Sequence, residues 1–135
     1  MRGYIRTANT VVRRWIFLAY WLLMFIGTHI PRLEGVDTSV FRIPHADKVM
    51  HFCMFAGWMC LSWWLLRPPG GRPSRRALAG ALLAGALYAA FDELTQSLVG
   101  RDTSLGDFFA DIAGMLAALW LLEARHRRWP SRKPA

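Results

Sequence analysis

Four apolar blocks alternate with short polar stretches along the chain. The first, Trp15 to Ile30 (WIFLAYWLLMFIGTHI), carries no formal charge. The second runs from about Val49 to Leu66, with His51 as its one titratable imidazole. The third starts at Ala77 and stays uncharged until Asp92, and the fourth runs from about Phe108 to Leu122, interrupted by Asp111. Each block is roughly 16–20 residues long, close to the length that crosses a ~30 Å hydrocarbon core at about 1.5 Å per residue. Four such blocks in 135 residues leave no amphipathic helices to cover them in a water-soluble fold. The pattern predicts an all-α polytopic membrane protein with four transmembrane helices, over about 15–30, 48–66, 77–99 and 107–123, forming a single membrane domain across residues 1–135.

Composition changes this picture only through where the charge sits. Hydrophobic residues make up 54% of the chain, yet the formal net charge is +8, from 17 Lys+Arg against 9 Asp+Glu. A disordered basic tail is excluded, because such segments are poor in apolar residues. A disulfide-stapled domain is excluded by a count of two cysteines. Arg2, Arg6, Arg13 and Arg14 precede the first block, Arg67, Arg72, Arg75 and Arg76 lie between the second and third, and Arg125, Arg127, Arg128, Arg132 and Lys133 follow the fourth. The other two connections hold only Arg32, Arg42, Lys48 and Arg101, amid acidic residues. Short loops rich in Lys and Arg stay in the cytoplasm. Both termini and the 67–76 loop are therefore expected to be cytoplasmic, with loops 31–47 and 100–107 on the other side. Basic residues that flank membrane spans do not form the single patch that nucleic acid requires, so no nucleic-acid partner is expected. Gly27, Thr28, His29, Ile30 and Pro31 offer no small-residue cleavage site, so the first block is expected to remain as an uncleaved span.

The candidate chemistry lies with the acidic minority. Eight of the nine acidic residues fall on the expected outer side: Glu34, Asp37, Asp47, Asp92, Glu93, Asp102, Asp107 and Asp111. Ionisable residues within or at the edge of membrane spans are costly and are functional suspects by default. The second span supplies Asp47, Lys48 and His51, the third Asp92, Glu93 and Gln96, and the fourth Asp107 and Asp111, while the loop between the last two adds Arg101 and Ser104. Asp47 and His51 are spaced i,i+4, and Lys48 and His51 i,i+3, so they share a helix face. Ala81, Gly85, Ala89 and Glu93 form one i,i+4 line, and Asp107, Asp111, Gly114 and Ala118 form another set on one face. Small residues at this spacing let membrane helices approach closely. The simplest expectation packs the third helix tightly on the fourth and turns their carboxylates into a shared outer pocket, with Lys48, His51 and Arg101 compensating their charge.

A blander role is expected for some of these groups. Glu34, Asp37 and Asp102 read as solvated interface residues. For Glu93 and Asp111, deeper in apolar sequence, a functional pocket and a structural lock between helices both stay open. A metal site built from His51, Glu93, Asp107 and Asp111 is chemically conceivable, but nothing in the spacing demands one, and no metal or other cofactor is expected. Cys53 and Cys60 are about 10 Å apart along a helix, too far to bridge. Trp15, Trp58, Trp63, Trp64 and Trp120 read as interface anchors and packing groups. No C-x-x-C, H-E-x-x-H, G-x-S-x-G or P-loop occurs.

At these polar residues the chain resembles the VanZ-like family of small bacterial membrane proteins. Asp47-Lys48-x-x-His51-Phe52 is similar to the family's signature at the start of a span. Asp92-Glu93-x-x-Gln96, Gly100-Arg101, Ser104, Asp107 and Gly114 are similar to its second, longer signature. Phe55 stands where the family often has Tyr, and Asp111 where it often has Asn. The resemblance implies a multi-pass protein of the bacterial inner membrane, in a family named for a member linked to resistance to the glycopeptide teicoplanin. The expected partner is a membrane lipid or lipid-linked cell-envelope precursor with an anionic headgroup. Arg101 and Lys48 would contact phosphate, while Glu93, Gln96, Asp107 and Asp111 would hold polar head atoms. Three alternatives are an intramembrane enzyme using His51 or Glu93 as general acid or base, a small proton-coupled transporter, which with four spans would require a homo-oligomer, and a purely structural or partner-binding subunit.

Overall fold

A computed structural model describes residues 2–30, 45–69, 71–101 and 103–128, with residues 2–9 in backbone only. The sequence expectations for Arg32, Glu34, Asp37, Arg42, Asp102, Arg132 and Lys133 lie outside the described residues, and those for Arg2 and Arg6 concern side chains that are not described. Four helices follow one another: α1 Arg2–Thr28, α2 Ala46–Leu66, α3 Arg75–Gln96 and α4 Leu105–Arg128, with a short 3-10 turn, Ser97–Val99, after α3.

Local chemistry explains several of these bounds. α2 stops where Arg67 turns extended at ψ 130° ahead of Pro68, as residues before proline do. The Ser74 side chain opens α3 by accepting from the Ala77 N–H at 3.1 Å. Gly100 takes a left-handed φ of 73°, and Arg101 donates its N–H back to the Gln96 carbonyl at 3.2 Å, closing the end of α3. Ser104 opens α4, its side chain and carbonyl both accepting from the Asp107 N–H. α1 and α4 run past their expected limits, α1 starting at Arg2 and α4 ending at Arg128. The extra turn of α4 carries Arg125, His126, Arg127 and Arg128, cations that complement the negative end of a helix.

Each helix contains a segment long and apolar enough to cross a membrane: Thr10–Thr28, Ala46–Leu66, Arg75–Val99 and Leu105–Arg128, with mean hydropathy of 1.4, 1.5, 1.4 and 1.6. No more than 33% of any of these segments is buried inside the protein. Leu23, Leu87, Leu94, Phe109 and Trp120 all point outward. Surfaces this apolar belong against lipid, and the chain is an all-helical multi-pass membrane protein.

The closest helix pair is α2 with α4. The expected α3–α4 contact is present, but α2 and α4 pack more extensively. Gly114 is the cause: a Cβ there would fall onto the Phe52 carbonyl and 3.1 Å from the Ala56 nitrogen, so the backbones of α2 and α4 meet at this point. Gly85 of α3 leaves room for the Met115 sulfur and, at 2.8 Å from its missing Cβ, for Trp58 Nε1. The core between the helices is formed by Phe55, Trp58, Met59, Tyr88, Ala89 and Met115. Tyr88 stacks on Trp58 at 5.9 Å and meets the edge of Trp21 at 5.3 Å.

α1 stands at the periphery, with only Met24 and Thr28 buried among residues 10–28. Directional bonds tie it down. Tyr20 Oη donates to the Met54 carbonyl at 2.7 Å, and Arg13 donates to the Trp64 carbonyl at 3.0 Å while lying 5.1 Å over the Trp64 ring. Side-chain contacts sort the two ends of the bundle. Arg13, Arg72 paired with Glu123 at 2.9 Å, and Trp63 beside His126 occupy one end. Thr28, Lys48, Asp92, Glu93, Ser104 and Asp107 meet at the other, here called the polar end.

Candidate functional site

Ten residues were expected to share the polar end, and the structure divides them into a buried centre, a flanking cluster and a rim. His51 of α2, Glu93 of α3 and Asp111 of α4 form the centre. They are 1%, 7% and 0% exposed. Nδ1 of His51 lies 3.0 Å from Asp111 Oδ1 and 3.9 Å from Glu93 Oε1. Glu93 Oε2 accepts the Ser104 backbone N–H at 2.8 Å, which ties the turn before α4 to α3. Asp111 reaches His51 because the Gly114 contact, one turn further along α4, brings the two backbones together. Three polar atoms of this centre, His51 Nε2, Glu93 Oε1 and Asp111 Oδ2, have no hydrogen-bond partner among the described residues.

Asp92, on the neighbouring face of α3, belongs to the flanking cluster. It accepts from Thr28 Oγ1 at 2.7 Å and from Gln96 Nε2 at 2.8 Å. Neither Thr28 nor His29 was singled out by sequence, yet both act here. His29 Nδ1 is 3.7 Å from Asp92, and its Nε2 lies 2.9 Å from Thr95 Oγ1. Their only sequence signal was polarity at the end of an otherwise apolar block. Tyr88 is buried beneath this level, within electrostatic reach of Asp92 and Asp111.

The rim is built by Lys48, which donates to Asp107 at 3.0 Å and to Asp47 at 3.2 Å. The Asp47 side chain is 50% exposed, so it stands outside the buried centre. Lys48 meets the expectation of a compensating charge, though it serves Asp107 and not the carboxylates below. Arg101 is half-buried, and its backbone closes α3, but its guanidinium makes no ion pair with a described residue. A groove of about 390 Å³ runs past the centre, lined by Ala90, Leu94, Leu105 and Phe108 together with Glu93, Thr103 and Ser104. Glu93 is thus the one member of the centre that also borders open space.

A comparison with known families matches residues 5–126 to VanZ/LLP1. The chain belongs to the VanZ/LLP1 family. No curated protein and no solved structure matches it. The match covers all four membrane segments of this VanZ/LLP1 protein except the final residues of α4. A larger groove, lined by Leu18, Trp21, Leu22, Phe25, Leu87 and Phe91 between α1 and α3, is almost wholly apolar and offers no chemistry beyond packing.

Proposed function

We propose that this VanZ/LLP1 protein holds the polar headgroup of an anionic membrane lipid, or of a lipid-linked cell-envelope precursor, at its polar end. The observation that supports this reading is the groove where Leu94, Leu105 and Phe108 meet Glu93, Thr103 and Ser104. An amphipathic ligand needs both surfaces side by side. Its chain lies along the apolar lining, within the membrane, and its head atoms meet the hydroxyls and the carboxylate. Arg101, free of an ion pair with any described residue, supplies the phosphate contact, for which a guanidinium's forked donors are suited. Lys48 is already engaged by Asp107 and Asp47 and acts as a second, weaker contact. With the arginine-rich segments on the cytoplasmic side, the polar end faces the outside of the membrane in this reading.

The test compares wild type with Arg101→Ala and Glu93→Gln, each expressed stably. Phosphatidylglycerol binding to the purified proteins is measured beside the teicoplanin sensitivity of cells that carry them. Losing a charge-assisted hydrogen bond costs about 1.5–3 kcal/mol, so each variant is expected to bind about tenfold more weakly or worse, with altered sensitivity. Unchanged binding and unchanged sensitivity in both variants would sink the reading.

A second reading, an intramembrane enzyme acting on such a headgroup, is favoured by one observation. Asp111 holds Nδ1 of His51 while the ring's buried Nε2 has no partner among the described residues, an arrangement in which imidazole serves as a general acid or base. Chemical turnover of a purified lipid, lost in His51→Gln, separates this reading from binding alone.

A further inference from the structure

The buried centre contains more acid than its protein partners neutralise. Glu93 and Asp111 face a single imidazole, and Lys48, the nearest ammonium with a defined contact, is spent on Asp107 and Asp47. Both carboxylates keep one oxygen, Glu93 Oε1 and Asp111 Oδ2, that is buried without a hydrogen-bond partner among the described residues. A carboxylate oxygen left in that condition within a membrane span is strongly unfavourable unless a proton or a bound cation neutralises it. The side chains concerned are 1%, 9% and 0% exposed for His51, Glu93 and Asp111, so bulk solvent does not provide the compensation.

We propose that His51, Glu93 and Asp111 form a binding site for one divalent first-row metal ion, of the Zn²⁺ or Mn²⁺ type. One nitrogen or oxygen from each residue lies within 4.8 Å of the others, and two of these separations are 3.0 and 3.9 Å. Ligand atoms around an ion bound at ~2.0–2.2 Å sit about 3.0–3.6 Å apart, so the His51–Asp111 spacing of 3.0 Å meets the requirement and the Glu93 carboxyl, at 3.9 Å from His51, has to draw closer. One imidazole with two carboxylates is a mixed N,O donor set. It suits Zn²⁺ and Mn²⁺ better than the thiolate-seeking ions, and Cys53 and Cys60 are both exposed and away from the cluster. The charges also balance, since two carboxylates and one dication leave a neutral centre. Three protein ligands leave coordination positions vacant, and the Glu93 edge of the groove is where they open. An oxygen of a bound headgroup would complete the shell there. The metal site itself does not depend on the lipid reading.

The experiment uses the full chain without a histidine tag, purified in detergent, stripped with chelator and dialysed against Zn²⁺ or Mn²⁺ with no lipid added. The expected result is about one ion per chain by elemental analysis, with affinity at least ~10-fold lower in His51→Ala and Asp111→Asn and unchanged in the rim variant Asp47→Asn. If the centre variants misfold, nitrogen NMR of the histidine rings in wild type decides: Zn²⁺ is expected to shift the His51 ring resonances. Wild type that binds no ion, binding that both centre variants retain, or His51 resonances unmoved by saturating Zn²⁺ each overturn the proposal. Wild type that binds phosphatidylglycerol but no Zn²⁺ overturns the metal site and leaves the headgroup reading standing, and wild type that binds Zn²⁺ but no phosphatidylglycerol does the reverse.

Discussion

Thr28 joins α1 to the polar end through one short bond to Asp92, and both partners are almost fully buried. Removing the hydroxyl leaves one carboxylate lone pair unsatisfied while the Gln96 bond remains. Thr28→Val is therefore expected to cost about 1–3 kcal/mol of stability, read as a lower unfolding temperature in detergent, whereas Thr28→Ser retains most of it. Residues of this kind mark the limit of reading a sequence. The carboxylates, His51 and Lys48 stand out because charge inside an apolar run is conspicuous. A threonine at the end of a span looks the same whether it caps its own helix or reaches across to another. Depth is equally hard to read: Asp47 and Asp107 are the second and third residues of their helices, yet one side chain is half-exposed and the other largely enclosed.

At the scale of the element, periodicity shows which residues share a face and is silent on which helix that face meets. Asp107, Asp111, Gly114 and Ala118 were grouped by their spacing, and all four are buried. Their partner is chiefly α2, through the Phe52 carbonyl at Gly114. A carbonyl in a helix backbone cannot swing aside, so Gly114→Ala is expected to push α2 from α4 and to destabilise by about 1–3 kcal/mol or more. Gly80 is the control. It sits in α3 with nothing within 4 Å of where its Cβ would be. Gly80→Ala relieves the helix of a glycine, and its unfolding temperature is expected to equal or exceed that of wild type. Equal effects of the two substitutions would contradict the close backbone approach. The helix limits were legible where proline, glycine and serine punctuate the chain, as at Pro68, Ser74 and Gly100. They were less so at the two ends, where the helices outrun their apolar segments.

For the molecule as a whole, fold class was legible because four long uncharged runs admit few other solutions. Orientation across the membrane was legible only as an expectation from Arg and Lys counts. Reporter fusions test it directly: a reporter at the C-terminus or within the 67–76 loop is expected to signal cytoplasmic placement, and one within residues 31–44 the opposite side. Reversed signals would turn the polar end toward the cytoplasm and remove envelope precursors on the outer face from its reach. The proposed metal and headgroup sites would then serve a cytoplasmic ligand with the same geometry.

The weak burial of α1 carries a consequence for how this protein is made. Of residues 10–28 only Met24 and Thr28 are buried, whereas five or more residues are buried on each of the other three helices. Chains emerge from the ribosome N-terminus first, so α1 is made before α2, α3 and α4 exist for it to pack on. The interlocked surfaces belong to α2, α3 and α4, which come together only when the last of them has been synthesised. At the polar end α1 is held by the Thr28 and His29 contacts, whose partners Asp92 and Thr95 lie on α3. The flanking cluster around Asp92 can therefore close only once α3 has been made, a step that the other three helices cannot take without α1.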